Sequence, residues 1–226
     1  MDKLLETAQF YQKELEGHRY LMIIAKKGVV LPLEIVFSKS EFKHLAGLHK
    51  LRDTEIYAIP SEQLYLQILN KKTKMSQFIK SNYFNDVKQR LDNFEKIKEV
   101  LNAPNDVKRS LRGLFGISID ADYLLTQKTE EENCHLFLKI NEQVLLPVTF
   151  FTNNTDYYLK KNTVNWNIVS INELKEKDDV KRKIQIETIK AQLSATTDFT
   201  KMKEITKDVL VTSPVNFSKL DEHEKD

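Results

Sequence analysis

Hydrophobic residues in the first half of the chain recur every three or four positions, which is the spacing of helices with one apolar face. The clearest example begins at Phe84, continues at this spacing as far as Leu101, and ends before Pro104. Ser38 or Ser40 can cap a second helix that runs to about residue 52. The helices predicted in this way span residues 3–16, 40–52, 61–70 and 84–101.

Strands are predicted where apolar and polar residues alternate, and most of these segments lie in the second half of the chain. Ile117, Ile119 and Ala121 share one face of the first such segment, with polar residues between them. An earlier pair of segments turns at Lys27-Gly28. The later connections are short, which predicts an antiparallel meander. The predicted strands span residues 20–26, 29–37, 117–125, 134–140, 144–151 and 164–171.

These elements predict an α+β fold in which a helical block packs on an antiparallel β-meander. We expect residues 1–171 to form this domain and residues 172–226 to form a charged helical tail. The tail holds 11 basic and 12 acidic residues, so it is neither a basic nucleic-acid arm nor an acidic tail. Apolar residues at helical spacing predict that it packs on another surface, such as a protein partner or a second copy of the chain.

Composition narrows the function classes without selecting one. The chain has 226 residues, enough for one domain with an appendage. Its net charge of +2 argues against broad, non-specific binding of nucleic acid. Six of the 35 basic residues are Arg, so few side chains can grip a phosphate with two parallel hydrogen bonds. Cys134 is the single cysteine, which excludes a disulfide framework and a cysteine-based zinc site.

The sequence predicts a cytoplasmic protein that has no membrane partner. The first residues include acidic side chains and no long apolar run, unlike a signal peptide. No stretch approaches the roughly 20 apolar residues that a membrane-spanning helix requires.

Neither a cofactor nor a metal is expected. The five glycines form no phosphate loop and no dinucleotide-binding fingerprint. His44 and His49 are five residues apart, which separates them by about 140° on a helix. Helical metal-binding pairs favour a spacing of four, and no carboxylate nearby completes a set of ligands.

Residues 41–53 carry the most informative chemistry, because two histidines fall on the packing side of one predicted helix. His44 and His49 lie towards the two ends of its apolar arc, whereas Lys43, Gly47 and Lys50 face away. One interpretation is that both histidines are core residues satisfied by backbone carbonyls. The other is that one or both line a cleft between helix and sheet, where an imidazole that titrates near neutrality can move protons.

The predicted sheet offers a surface that could complement this helix. Asp122, His135 and Thr149 lie opposite the main apolar face of their strands, together with Phe137 and Phe151. If these strands are neighbours, they form a polar and aromatic surface on which an unstacked nucleotide can lie. The alternative is an ordinary solvated face of an antiparallel sheet.

A predicted loop after these strands adds further candidate groups. Tyr157 supplies a phenol, and Lys160 and Lys161 supply cations. Loops that are held by a rigid sheet often carry function, although a solvated hairpin turn explains the same residues.

Taken together, these residues resemble a known family. The histidine segment Phe42-x-His44-Leu45-x-Gly47-Leu48-His49-Lys50-Leu51-x-Asp53 is similar to that of the fourth group of phage Barnase–EndoU–Colicin–RelE-like nucleases. These are domains of phages and mobile elements of low-GC Gram-positive bacteria. The resemblance covers roughly residues 1–171. It continues through Ile68-Leu69-Asn70, Ser81-x-Tyr83-Phe84, Arg90-Leu91, residues 121–125, Leu136-Phe137-Leu138 and residues 148–151.

The resemblance implies a metal-independent ribonuclease of the barnase/RelE type, with helices packed on an antiparallel sheet. The sequence departs from the family at two places. Phe151 is followed by Thr152 where the family has Pro, and the segment after Tyr158 lacks the family's Gly-Gln pair. If that segment contributes to the site, this member is altered or inactive.

The leading hypothesis is an RNA endonuclease in which a ribose 2′-OH attacks the adjacent phosphorus and leaves a cyclic phosphate. The catalytic candidates are His44, His49 and His135. The substrate-binding candidates are Lys50, Asp122, Thr149 and Tyr157. The alternative hypothesis is a catalytically inactive binding or inhibitor module of a mobile element, which the departures from the family favour.

Overall fold

The computed structural model describes residues 2–111, 113–115, 119–153, 158, 163–196 and 198–211. Its helices confirm most of the predicted helical segments, with ends that differ by a few residues. The helices are α1 (Lys3–Glu14), α2 (Phe42–Leu45), α3 (Ser61–Leu69), α4 (Phe84–Asp92), α5 (Lys96–Asn102), α6 (Asp179–Ser194) and α7 (Phe199–Val211). Short 3₁₀ turns span Lys39–Glu41, Leu48–Lys50, Glu55–Ala58 and Met75–Gln77.

The long helix predicted over residues 84–101 is divided in two. The Asn93 side-chain amide donates a hydrogen bond to the Gln89 carbonyl at 3.0 Å, in competition with the backbone. Phe94, just after this break, is fully buried. The apolar stripe therefore continues across the break, which is why the spacing alone predicted one helix.

Seven strands form one closed barrel, in the order β1-β2-β8-β7-β6-β3-β9 and back to β1. Its neighbouring strands are antiparallel except β2 and β8, which pair in parallel at Glu34 and Ile35. A separate two-stranded hairpin joins β4 to β5. The strands are β1 (Arg19–Lys26), β2 (Val29–Val36), β3 (Asp106–Ser110), β4 (Leu114–Phe115), β5 (Ile119–Asp120), β6 (Tyr123–Lys128), β7 (Asn133–Asn141), β8 (Val144–Asn153) and β9 (Thr163–Glu173).

The predicted fold, a helical block packed on an antiparallel meander, is wrong. The hairpin of β1 and β2 belongs to the same sheet as the later strands, and β1 closes the barrel by pairing Tyr20 with Glu173 of β9. Alternation shows which residues of a strand share a face, but not which distant strand pairs with it. Because the predicted connections are short, each strand was expected to pair only with the strands next to it in sequence.

Strand β3 is a second difference between the predicted and the observed sheet, because it was not predicted. It lies between β6 and β9, although its sequence of one apolar and four polar residues gives no clear alternation. The strand predicted over residues 117–125 is instead divided between β5 and β6, and Ile117 lies outside the described residues.

Helices α1 to α5 pack on one face of the strands and form the main core. Aromatic rings at the centre of this core fix α2, because Phe42 lies 5.4 Å from Tyr11 and 4.9 Å from Tyr65 between ring centroids. Such ring pairs stabilise a core beyond the area they bury. The position of α2 determines where the neighbouring histidine segment lies.

The opposite face of the strands carries two smaller apolar clusters. One of them joins Leu21 and Ile23 of β1 to α6 and α7. Arg182 of α6 is also buried, with its Nε 3.0 Å from a Glu34 carboxylate oxygen on β2. The boundary between residues 171 and 172 stays a prediction, and β9 runs past it to Glu173.

The second cluster lies under β6, β7 and β8, where Phe137 and Phe151 stack with their ring centroids 5.4 Å apart. This cluster supports the sheet surface that faces the histidine segment. None of the helices described has the length and apolar character that spanning a membrane requires.

Candidate functional site

The two histidines, predicted at the two ends of the apolar arc of one helix, lie against each other. The helix predicted over residues 40–52 stops after Leu45, and Gly47 takes a left-handed backbone conformation with φ +77° before the next 3₁₀ turn. The rings of His44 and His49 consequently stack, with centroids 4.8 Å apart and planes inclined by 26°. The expected separation of about 140° assumed a continuous helix and is wrong.

The chain before Gly47 is held by a buried lysine. Lys43 Nζ donates hydrogen bonds to the carbonyls of Tyr57 and Ile59, at 2.8 and 2.6 Å. The sequence predicted that Lys43 faces away from the packing side, but its side chain is buried. Its two hydrogen bonds offset the cost of burying a charge and fasten this segment to the next one.

Arg90 of α4 packs against the histidine segment. Its Nη1 donates to the Thr149 hydroxyl at 2.9 Å and more weakly to the His44 carbonyl at 3.4 Å. The guanidinium also lies over the Phe151 ring, 5.4 Å from its centroid. Hydrogen bonding and cation–π attraction therefore fix the position of this cation.

Gly47 leaves the space that the Arg90 side chain occupies. A Cβ atom at Gly47 would lie 2.5 Å from Arg90 Cδ, which is much closer than any van der Waals contact. Glycine is therefore required at position 47 for two reasons, the left-handed backbone conformation and the close approach of Arg90.

Arg90 is a buried charge without a buried counter-charge, since 7% of the residue is exposed. Among the described residues, no carboxylate forms an ion pair with it, and the nearby Asp86 pairs with Lys50 at 3.1 Å. Burial lowers the pKa of Arg90 to about 10, an effect that the Asp86 charge partly offsets. The side chain stays protonated at neutral pH and leaves a positive potential in the site.

His49 is partly buried beside this charge, and its Nδ1 atom has no hydrogen-bond partner within the described part of the chain. Burial, and after it the positive charge of Arg90, lowers the pKa of His49 to about 3. Burial also lowers the pKa of His44, although that residue is more exposed. Both imidazoles are therefore neutral at pH 7 in the free protein.

A cleft of about 640 Å³ opens between this segment, α4 and β8. Among the described residues that line it, the acidic ones are Asp86 and Asp120, which already pair with Lys50 and Lys139. Neither Arg52 nor Arg90 pairs with a carboxylate in the parts of the chain described here. The cleft is therefore suited to an anionic ligand. The side chains that line it include His49, Lys50, Arg52, Arg90, Thr149 and Phe151.

His135 lies beneath the cleft and is fully buried. Its two ring nitrogens lie 3.1 Å from the Thr126 hydroxyl and 3.1 Å from the Asn153 side-chain oxygen. Its ring centroid is 5.7 Å from that of Phe151, which itself lines the cleft. His135 thus supports the floor of the cleft from within the sheet.

The remaining predicted residues are less central to the cleft. Asp122 accepts a hydrogen bond from the Ile140 amide at 2.7 Å and lies 3.6 Å from Lys139 Nζ. Tyr157 lies outside the described residues. The structure thus brings His49, Lys50 and Thr149 into one cleft, with His44 stacked at its edge.

The principal residue that sequence reasoning missed is Arg90. It follows Val87 by three positions and precedes Leu91, so it lies on the apolar stripe of α4, where a charged residue is unusual. That position was the available signal. In the described part of the chain, no group of three His, Cys, Asp or Glu side chains is placed to hold a metal ion.

His49 is expected to destabilise the folded protein in acid. Its pKa falls from 6.5 to about 3 on folding, so the unfolded chain binds the extra proton between these values. The free energy of unfolding should therefore fall as the pH drops from about 6.5 towards 3. Urea unfolding at several pH values checks this by comparing the wild type with His49→Gln.

The variant lacks this titration, so its stability should decline less steeply over the same pH range. His18→Gln is the matched control, because His18 immediately precedes β1 and does not line the cleft, and its Nδ1 lies 2.7 Å from a Glu173 carboxylate oxygen. Parallel stability curves for the wild type and His49→Gln would contradict the assignment.

Comparison with known proteins gives one family. The model of the phage-Barnase-EndoU-ColicinE5/D-RelE like nuclease 4 family, PBECR4, matches residues 3–193. The match includes most of α6, whereas the resemblance seen in the sequence reached residue 171. No curated protein and no solved structure matches the chain. The matched region holds the histidine segment, Arg90 and the strands that line the cleft, and the chain belongs to this nuclease family.

Proposed function

We propose that this nuclease is an endoribonuclease that works without a metal ion. In the proposed reaction the ribose 2′-OH attacks the adjacent phosphorus, the bond to the 5′-oxygen breaks, and a 2′,3′-cyclic phosphate remains. The reaction needs a group that accepts the 2′-OH proton, a group that protonates the 5′-oxygen, and donors for the developing negative charge. The observation that carries the proposal is the convergence of His49, Lys50, Arg90 and Thr149 on one cleft.

His49 is the proton acceptor in this scheme. It is neutral at pH 7 and lines the cleft, so it can take the proton from the attacking hydroxyl. His44, stacked 4.8 Å away and exposed, is the complementary donor: it takes up a proton from solvent and passes it to the leaving 5′-oxygen. Two adjacent imidazolium ions repel each other, so the pair holds at most one extra proton at a time.

Lys50, Arg90 and Thr149 stabilise the phosphate. The Thr149 hydroxyl accepts a hydrogen bond from Arg90, which leaves its own proton for an oxygen of the substrate. Lys50 pairs with Asp86 at the exposed rim, where water weakens the pair and a phosphate can compete for the lysine. His135, Asp122 and Tyr157 stay predicted site residues, with His135 as a support of the cleft floor.

A second candidate is a catalytically inactive module that binds a nucleic acid or a protein. The low pKa of His49 favours it, because an imidazole of this pKa is a weak base until something changes its surroundings. The setting of a phage or mobile element, the cytoplasmic location and self-association through the C-terminal helices stay predictions.

Cleavage of RNA in the presence of EDTA tests the proposal. The purified chain should cut single-stranded or structured RNA and leave 2′,3′-cyclic phosphate ends, which mass spectrometry identifies. RNA with 2′-O-methyl groups is the matched control, because it has no 2′-OH to attack phosphorus and should remain intact. Cleavage of the 2′-O-methyl RNA, dependence on a divalent metal, or no cleavage of any RNA would each overturn the proposal.

A further inference from the structure

Arg90 presents an unusual electrostatic problem for a folded protein. A buried charge normally has a carboxylate partner, because removing a charge from water is costly. Only 7% of Arg90 is exposed, and its hydrogen bonds within the described residues go to neutral oxygens, the Thr149 hydroxyl and the His44 carbonyl. Its charge thus has no anionic partner in the part of the chain that the structure describes, which favours an anionic ligand at this position.

The surroundings of Arg90 are built to hold it in one place. The Phe151 ring lies under the guanidinium, and the Thr149 hydroxyl accepts a hydrogen bond from Arg90 Nη1. Gly47 leaves space for the methylene chain of Arg90. A fixed guanidinium loses little conformational freedom when it binds a ligand, which favours binding. Its planar set of N–H donors fits two oxygens of a phosphate at once.

The rim of the cleft supplies further positive charge. Arg52 and Lys50 line the same cleft, and Arg52 is exposed there. The acidic residues of the cleft, Asp86 and Asp120, are both held by lysines. A phosphodiester group, which carries one negative charge, fits this arrangement better than a neutral ligand does.

From this geometry we propose that Arg90 is the residue that anchors the substrate phosphate, with the Thr149 hydroxyl and Lys50 completing the subsite. The inference deepens the proposed ribonuclease function and rests on the same cleft. It assigns the ligand as one phosphodiester group of a nucleic acid. A protein with six arginines thus places one of them, buried, at the centre of its site.

Phosphate binding at Arg90 also changes His49. In the free protein the positive charges that lower the pKa of His49 are those of Arg90, Lys50 and, when it is protonated, His44, and Arg90 has the largest effect after burial. An anion on Arg90 offsets the repulsion between the guanidinium and a protonated imidazole. The pKa of His49 then rises towards its ordinary value, so bound substrate makes His49 a better base.

Binding of a short oligothymidylate tests the subsite without any cleavage. This probe carries phosphodiesters but no 2′-OH, and thymine does not titrate in acid. We expect Arg90→Gln to raise the dissociation constant, measured by fluorescence anisotropy, by about tenfold or more. Arg90→Lys keeps the charge without the forked donors, so a smaller loss of about threefold to tenfold is expected.

Arg109 provides the matched control. It is exposed and lies over the Tyr123 ring, 5.8 Å from its centroid, but it does not line the cleft. Arg109→Gln removes the same charge and should change binding by less than about twofold. Equal losses for Arg90→Gln and Arg109→Gln would overturn the subsite.

A measurement on the wild type keeps the test decisive if Arg90→Gln does not fold. NMR titration of the His49 ring protons, with and without saturating oligothymidylate, should show its pKa rise by about one unit or more in the complex. An unchanged pKa would overturn the proposal. If the protein binds the oligonucleotide through Arg90 but does not cleave RNA, the phosphate subsite is supported and the ribonuclease mechanism is rejected. If it cleaves RNA and Arg90 has no effect on binding, the mechanism is supported and the subsite is rejected.

Discussion

Replacing His49 with alanine is expected to lower the rate of RNA cleavage by about 10²–10⁴-fold, the usual contribution of a general base. His49 lines the cleft beside Arg90, where it can accept a proton from the 2′-OH that attacks the neighbouring phosphorus. Without the imidazole, water must take that proton. Single-turnover cleavage of a labelled RNA in EDTA measures the effect on the chemical step alone.

His18→Ala is the control for this variant. His18 is half-buried and pairs with Glu173 at 2.7 Å, and it does not line the cleft, so its loss should leave the cleavage rate within about twofold of the wild type. Oligothymidylate binding should survive in His49→Ala, which separates a missing base from a missing site. If His49→Ala cleaves RNA at the wild-type rate, His49 is not the base.

Gly47→Ala is expected to destabilise the protein by about 2–5 kcal/mol. Part of the cost, about 1–2 kcal/mol, comes from forcing an alanine into a left-handed backbone conformation at φ +77°. The rest comes from the clash with Arg90 Cδ, which would lie 2.5 Å from the new methyl carbon. Urea unfolding measures the loss, and oligothymidylate binding shows whether Arg90 has moved.

Gly28→Ala separates these two causes. Gly28 also has a left-handed backbone, with φ +79°, but no atom lies within 4 Å of the position that its Cβ would take. Its replacement should therefore cost only the backbone strain, about 1–2 kcal/mol, and leave binding unchanged. Equal losses at the two glycines, with binding intact in both variants, would show that Gly47 does not position Arg90.

Local patterns were sufficient to predict helices α1 and α3. The apolar stripes of α1 and α3 were predicted over residues 3–16 and 61–70, and the structure places them at Lys3–Glu14 and Ser61–Leu69. These stripes depend on residues three or four positions apart, so the sequence contains the whole signal. The division between α4 and α5 was missed because the apolar stripe continues across it through the buried Phe94.

The histidine pair shows how a single residue can undo such a prediction. A continuous helix would have placed His44 and His49 far apart, but Gly47 reverses the chain between them. A glycine within a helical pattern is a common sign that the helix ends there. The signal was therefore present, although its consequence for the two rings depended on the exact backbone path.

The barrel and Arg90 depend on contacts between distant parts of the chain. Nothing in the alternation of β2 indicates its parallel partner β8, and nothing in β1 indicates β9. The importance of Arg90 likewise comes from Thr149 and Phe151, which are about 60 residues away in sequence. Pairings of this kind are set by the packing of the whole chain and leave no local pattern.

Closure of the barrel by β1 and β9 has a consequence for how the protein is made. The strand that pairs with Tyr20 ends at Glu173, so the ring cannot close until nearly the whole barrel has left the ribosome. Contacts between such distant residues also slow folding, because a long loop must close before they form. A chain that is still being translated therefore exposes the histidine segment well before the barrel around it is complete.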